Sequence, residues 1–418
     1  VPDPLSLPRL RAVTRPIDAP EDPLLLASAE DPLVWMRRGE GMIGSGAEVL
    51  RIDVGEDGRL EAIADVWRAI SAAAEVDDAV RLPGTGLVAF GAFAFDETSL
   101  APSTLIVPSI VVGRRGGRAW MTRISRMDGP EPAAPDPLAY GPHWSATLGP
   151  GELDPAGHTA AVAAALEAIA AGEVEKVVIA RDIAGTLPAD ADLRRLVRAL
   201  AEGYPDTWAY AVDGIIGASP ETLVTVSGGT VTARVLAGTR PRGANADEDT
   251  AITAELATTA KDLDEHRYAV QSVLTALEPH TSALVAAEQP FALKLPNVWH
   301  LATDVEGTLA NGDSALDMVR ALHPTAAVAG TPTPDAIAAI RRIEPFDRGR
   351  YAGPVGWVDG DGDGEWAIAL RCAQIGAPEG AHRPVTAHAG GGIVAGSQPE
   401  AELLETRVKF RPIVDALA

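Results

Sequence analysis

The stretch from Trp208 to Gly238 constrains the fold more than any other region of the sequence. It reads "WAYAVDG", "IIGAS", then "ETLVTVSGG" and "TVTARVLAG". Each segment is strand-like, and the separators between them are short and Gly-rich. A parallel crossover needs a dozen or more residues, so these connections favour antiparallel hairpins. The chain is therefore committed to antiparallel sheet, with its helices packed outside.

Other runs extend that pattern. "TLIVPSIVVG" is strand-like, and strands are predicted again over 353–358, 365–375 and 384–389. One helical stretch, "LEAIADVWRAISAAA", lies in the first 128 residues. "LDPAGHTAAVAAALEAIAAGEV" opens with Asp154 as N-cap and Pro155 at the first helical position. Helices are predicted over 247–259, 261–278, 315–322, 333–342 and 398–417. Between Gly129 and Ser145, "GPEPAAPDPLAYGPHWS" is Pro-rich and aperiodic, and reads as a connector. No internal repeat of fixed period is present. The fold class is α/β (α+β), with large, mostly antiparallel sheets.

At 418 residues the chain has room for one large domain or two to three ordinary ones. With 46% hydrophobic and 22% charged residues it is globular rather than disordered. Aromatics are scarce, so Ala and Val are expected to fill the core. A net charge of −23 argues against a nucleic-acid partner, which would need clustered Lys and Arg. A small anionic substrate would need a local cationic pocket. Cys372 is the sole cysteine, which excludes an internal disulfide, and in its strand-like run it reads as packing. No run is long and apolar enough to span a bilayer, and Val1 opens no signal segment. A cytoplasmic protein without membrane contact is the expectation.

Several motifs invite a chemical reading, and each has a plain alternative. In "VDGDGDGEWAIAL", Asp359, Asp361, Asp363 and Gly364 match the start of a calcium loop, but Leu370 stands where a bidentate Glu is required. A tight turn between two strands fits better. "AGGGIVAG" is neither a dinucleotide fingerprint nor a P-loop; its three glycines, Gly390, Gly391 and Gly392, read as a turn that either lets backbone approach a ligand or merely reverses the chain. Lys176 opens the strand "EKVVIARDI" and would ordinarily snorkel to solvent. Arg371, in "WAIALRCAQI", shares a strand face with Ala367 and Ala369; it could fork onto a carboxylate or form an edge salt bridge. "KDLDEHRYAV" puts Asp262 and Glu265 three apart on a helix, with His266 and Arg267 adjoining. "GSQPEAELLETRVKF" places Glu402, Glu405 and Lys409 on one helical face. Each helix alone is a solvated charged face; together they could hold one oxygen-ligated cation such as Mg²⁺.

None of these patterns decides a function alone, but their order does. The series "KVVIAR", "GASPETLV", "LAGTRPRG", "KDLDEHRYAV", "VWHLATDVEGTL", "LHPTAAVAGTP", "EPFDRGRYAGPVGW", "GEWAIALRCAQI" and "AGGGIVAGSQPEAELLETRVKF" resembles the chorismate-utilising enzymes. The likeness covers roughly residues 150–412, with a weaker echo at "LVAFGAFAFD" (Leu87–Asp96), and is strongest toward the isochorismate synthases.

The resemblance implies one large fold over 1–418 of the anthranilate and aminodeoxychorismate synthase kind. Residues 150–412 would form the catalytic core, the weakly matched N-terminal residues 1–145 would complete it, and the connector would be internal. By the same resemblance Lys176 is the general base and Glu221 the general acid. Glu265 and Glu405 are direct Mg²⁺ ligands, supported by Asp262 and Glu402. Tyr351 and Arg371 contact the pyruvyl side of the substrate and Lys409 a carboxylate. Gly238, Thr239, His300 and Gly390–Gly392 line the pocket. Thr239 and Tyr351 depart from the serine and phenylalanine common in siderophore-type members, and both also occur in salicylate-forming relatives.

The implied reaction is Mg²⁺-dependent conversion of chorismate to isochorismate, for menaquinone or siderophore synthesis. Salicylate synthesis, by further elimination of pyruvate, is the alternative, and a non-catalytic metal- or partner-binding protein of the same fold is a remote one. Relatives that add ammonia usually lack the lysine and need a glutaminase; Lys176 is present, so the water-using branch is preferred, with no glutaminase partner expected and a monomer the expectation.

Overall fold

Two of the predicted turns close as two-residue hairpins. Trp208–Val212 pairs antiparallel with Ile215–Ser219 across Asp213 and Gly214, whose φ angles are 49° and 76°. Thr222–Ser227 pairs with Thr230–Pro241 across Gly228 and Gly229, at 56° and 77°. Two successive positive φ values give the turn whose twist matches that of the strands. The computed structural model in which they appear describes residues 7–55, 57–294, 298–310 and 312–418, apart from the side chains of Thr239, Pro241, Ala260–Asp262, Glu265 and Val298.

The two hairpins do not pair with each other, because they lie in two arms of one continuous hydrogen-bonded sheet, a first and a second sheet joined at a common strand. The sheets diverge from one long strand, Ser103–Arg115, buried over nearly its whole length. Glu40–Val54 runs along one of its edges. Val88–Ala92 and Arg118–Arg126 share the other edge, one on each half. The register with Glu40–Val54 shifts on both sides of the Glu48↔Pro108 pair. Proline offers no N–H to a ladder, so a bulge is where it can be accommodated.

From Val88–Ala92 the first sheet continues through Pro354–Asp359, Gly364–Ile368, Thr222–Ser227 and Thr230–Pro241 to Val298–Leu309. The second runs from Glu40–Val54 through Leu33–Arg37, Trp208–Val212, Ile215–Ser219, Cys372–Ile375 and His382–Val394 to Lys176–Pro188. Every pairing along these two paths is antiparallel, as the sequence requires. Among the described strands only Leu10–Ile17 with Glu75–Asp78 is parallel.

The chain passes between the sheets at two adjoining places. One is Pro220–Glu221, between Ile215–Ser219 and Thr222–Ser227; the other is Ala369–Arg371, between Gly364–Ile368 and Cys372–Ile375. The predicted single strand over 365–375 is therefore two strands in two sheets. The crossings are stitched together: Ile368 N–H donates to the Glu221 carbonyl at 3.0 Å, and Ala218 N–H to the Arg371 carbonyl at 3.2 Å.

The largest fully buried side chains include Trp35, Trp120, Trp357 and Trp366, set among many Ala, Val and Ile residues. So a few tryptophans, rather than small residues alone, fill the main core. A second core lies under helices Arg194–Gly203 and Pro399–Leu417, where Leu196, Leu200, Phe410 and Ile413 meet Ala373, Val385 and Ala387 of the second sheet. The predicted helices are present as Ala246–Thr258, Ala260–Leu277, Ala315–Leu322, Thr333–Ile343 and Pro399–Leu417.

The connector has no regular structure as far as Ala146. Its backbone is nevertheless tied down: Leu138 N–H donates to Leu25 O at 2.8 Å and Ala146 N–H to Leu417 O at 2.8 Å. Among the described residues no helix is long and apolar enough to cross a membrane.

Candidate active site

The paired crossings put Glu221 and Arg371 side by side in sequence-remote positions. Glu221 is only partly exposed, and burial raises its carboxyl above the usual glutamate range; the cations Arg371, Lys176 and Lys409 oppose that rise. Arg371 has a φ of 52°, in the left-handed region where a residue with a Cβ is strained. Such strain costs about 1–3 kcal/mol and is retained where neighbours over-determine it. Here Ala352, itself at φ 63°, donates N–H to Ala369 O at 2.9 Å, and Ala369 N–H returns to Gly353 O at 2.8 Å.

That pair of hydrogen bonds also fixes Tyr351, one residue earlier. Its ring is buried and stacks on His388, with centroids 5.1 Å apart. Burial pushes its hydroxyl up to about 12, against the pull of Arg348 and Arg371. Tyr351 therefore stays protonated and can only donate or accept as a neutral phenol.

Lys176 opens the strand Lys176–Pro188, in register with Val394 on one side and Thr331 on the other. The three glycines lie in the neighbouring strand, His382–Val394, and are not the turn expected from sequence. The reversal comes later, at Gly396, whose φ is 101°. Inside the strand the glycines leave room on both faces. A Cβ at Gly392 would stand 2.8 Å from Cε of Lys176. A Cβ at Gly391 would stand 2.9 Å from Oε2 of Glu402 and 3.5 Å from Oε1 of Glu405. Missing side chains thus admit the lysine on one face and two carboxylates on the other.

The helix Pro399–Leu417 delivers those carboxylates. Arg181 anchors it, donating from Nε to Thr406 Oγ1 at 2.8 Å and lying over the Phe410 ring at 4.7 Å. Lys409 Nζ sits 2.5 Å from Glu405 Oε1 and donates to Gly390 O at 2.7 Å. The routine helix pair read from sequence is present, and its lysine also reaches the glycine strand. Burial, with the Glu405 charge beside it, raises the Glu402 carboxyl.

A second helix, Ala260–Leu277, carries Asp262 and Glu265; their side chains, like that of Thr239, lie outside the described residues. His266 faces inward, 3.1 Å from Ala237 O and 2.7 Å from Thr303 Oγ1, and so docks this helix on the first sheet. Arg267 faces outward, 3.0 Å from Asp264. Gly238 has a φ of 75° at a register shift, a bulge that places Thr239 opposite His300. Burial and the cations Lys409, Arg371 and Lys176 lower His300 to about 4, so it is neutral near pH 7. Among the described residues no three acids or histidines cluster as a metal site.

Charge interactions thus link Lys176, Glu221, Arg371, His300, Lys409 and Glu405 into one cluster, with Glu402 beside Glu405, Tyr351 beside Arg371, and the glycines against the lysine and the two carboxylates. The structure sets aside the calcium-loop pattern: Val358 pairs with Gly364 in a strand hairpin, and Asp359 accepts N–H bonds from Asp361 and Asp363, 3.0 Å each. Cys372 is buried, and burial pushes its thiol up to about 12, which suits packing and not nucleophilic attack. His388 and the inward role of His266 were not foreseen from the sequence. An alternating strand pattern does place His388 on the face of Gly390 and Gly392, which was the available signal.

A family model described as "Chorismate binding enzyme" matches residues 139–418. The MenF protein of Mycobacterium tuberculosis is 40% identical over 348 residues, covering 80% of this chain and 87% of its own. The salicylate biosynthesis isochorismate synthase of Pseudomonas aeruginosa is 32% identical over 451 residues, 99% of this chain and 91% of its own. In three dimensions the chain is similar to MenF, the menaquinone-specific isochorismate synthase from Escherichia coli. The TM-score is 0.79 at 25% identity, over 98% of this chain and 95% of that one.

Proposed function

The chain belongs to the chorismate-binding enzyme family, and from that premise we propose that it is an isochorismate synthase, an isomerase acting on chorismate. The observation that carries this reading is that Lys176 lies within charge range of a glutamate, Glu221, whose carboxyl is raised by burial against the pull of that lysine and its neighbours.

Water must add at C2 of chorismate while the C4 hydroxyl leaves. Water is a weak nucleophile, so Lys176 in its neutral form takes a proton as the new C2–O bond forms. The ring double bonds shift, the C4–O bond breaks, and Glu221 gives its proton to the departing oxygen. One water enters and one leaves, so the sum is an isomerisation. The two groups finish as ammonium and carboxylate and are reset by proton exchange. Arg371 and Lys409 offer the cationic pocket that a dianion needs in a protein of net charge −23. A planar guanidinium suits a carboxylate fork, and Arg371 is proposed to hold the pyruvyl side with Tyr351.

The cradle beside Gly391 fits a divalent cation. Two carboxylates converge where a Cβ would crowd Glu402 and touch Glu405, and a donor set of oxygen alone suits hard Mg²⁺. Glu405 and Glu402, with Glu265 and Asp262 proposed as further ligands, would hold it. Bound there, Mg²⁺ would supply charge neutralisation at the ring carboxylate. Gly238, Thr239, His300 and the glycines Gly390–Gly392 are assigned to the pocket wall. The proposal places the enzyme in the cytoplasm as a monomer without a glutaminase partner, feeding menaquinone or siderophore synthesis.

Incubation of the pure protein with chorismate and Mg²⁺, followed by separation of products, tests the reading. Isochorismate supports it. Salicylate with pyruvate would make the protein a lyase, and no consumption of chorismate would leave a binding protein of the same fold.

A further inference from the structure

The strand that presents Lys176 has a gap in one edge. Gly330–Thr331 covers Lys176 and Val177, and Thr147–Pro150 covers Ile183 to Thr186. Among the described residues no strand pairs with that edge between them. Backbone polar groups buried without partners cost free energy, so something else must satisfy them.

A buried ion pair does so. Glu344 Oε1 accepts from Ala180 N–H at 2.7 Å, and Arg348 Nη2 donates to Val178 O at 2.9 Å. Arg348 also donates from Nη1 to Val328 O at 2.9 Å, and Val178 N–H donates to Ala329 O at 2.8 Å. The two side chains bind each other through Nε to Oε2 at 2.8 Å and Nη2 to Oε1 at 2.7 Å, and are only 2% and 1% exposed. The guanidinium lies 4.5 Å from the Phe95 ring centroid and 5.9 Å from that of Tyr351. One ion pair therefore touches the lysine strand, the loop before Gly330 and the tyrosine arm.

Stability alone does not account for such a pair, since apolar residues of similar volume often serve a core equally well. We infer that Glu344 and Arg348 are positioning residues for the proposed reaction: they complete the edge of the Lys176 strand and fix it relative to Tyr351. The inference rests on the isochorismate synthase reading. The pair touches no reacting atom; its effect passes through Lys176 and Tyr351.

Arg348→Lys keeps the charge but cannot reproduce the fork to two carbonyls and a carboxylate. Its kcat with chorismate is expected to fall about ten- to a hundredfold, because small misplacement of a catalytic group is costly. KM is expected to rise less than kcat falls, because Tyr351 is one of several substrate contacts while Lys176 acts in the chemical step. The thermal melt should show the variant folded at the assay temperature. If Arg348→Lys does not fold, Glu344→Gln, which retains an acceptor for Ala180 N–H, is read by the same criteria. Wild-type kcat in the folded variant would overturn the inference, as would a loss carried entirely by KM or by the unfolded fraction. Failure of the wild-type protein to make isochorismate would instead overturn the function on which it rests.

Discussion

Lys176 lies across the bare face of Gly392, where a Cβ would stand 2.8 Å from the lysine Cε and 3.6 Å from Nζ. The contact is with the far end of a flexible side chain, so a methyl group there moves the lysine and spares the fold. Gly392→Ala is accordingly expected to lower kcat about tenfold or more. Its melting temperature should match the wild type; steady-state kinetics beside a thermal melt check both.

Gly391 faces the other way, toward Glu402 and Glu405. Gly391→Ala is expected to weaken Mg²⁺ binding by displacing the Glu402 carboxylate, 2.9 Å from the added Cβ, and Glu405→Gln to weaken it further by removing one charge. Both should leave the apparent KM for chorismate at saturating Mg²⁺ within a few-fold of wild type. Calorimetric titration with Mg²⁺ measures the affinity directly, and unchanged affinity in both variants would remove the cation from this helix.

The Glu221 carboxyl gives a prediction with a definite sign. Its pKa is raised in the folded protein by burial. A raised carboxyl favours folding fully below the ordinary glutamate range, and that contribution is lost as pH rises through the folded value. Glu221→Gln removes the loss, so the melting temperature of the variant relative to wild type should increase as pH rises. The same variant should lack isochorismate formation. A constant difference across pH would mean that Glu221 is not held protonated by the fold.

Arg371 is proposed to bind substrate through a planar fork. Arg371→Lys should raise KM for chorismate about tenfold, because a point charge does not replace two parallel hydrogen bonds. The folded fraction should be unchanged, and initial rates over a chorismate series would show it.

Much of this arrangement is legible in the sequence because its signals are local. Asp213–Gly214 and Gly228–Gly229 demand positive φ values, and both turns form where the pattern puts them. The spacing of Glu402, Glu405 and Lys409 likewise marks the helix that carries them. The crossing at Ala369–Arg371 is different. No glycine or proline marks it, and the left-handed φ of Arg371 accompanies hydrogen bonds that Ala369 makes with Ala352 and Gly353, far behind in sequence. The glycines Gly390–Gly392 looked like a turn because a glycine's meaning depends on what stands across from it. Here that is Lys176 on one face and a helix on the other. Glu344 and Arg348 stand four apart, the spacing of any helical ion pair, and only the missing strand beside Val178 and Ala180 gives them another role.

Addition of water at C2 of chorismate with loss of the C4 hydroxyl is the step on which every assigned role depends. Turnover of chorismate with Mg²⁺ in ¹⁸O-labelled water, with the product read by mass spectrometry, follows that step atom by atom. Isochorismate carrying one solvent oxygen, at C2, is expected, with no such product from Lys176→Ala. Isochorismate without a solvent oxygen at C2 would refute it, whereas labelled salicylate with pyruvate would keep the water addition and make the protein a lyase.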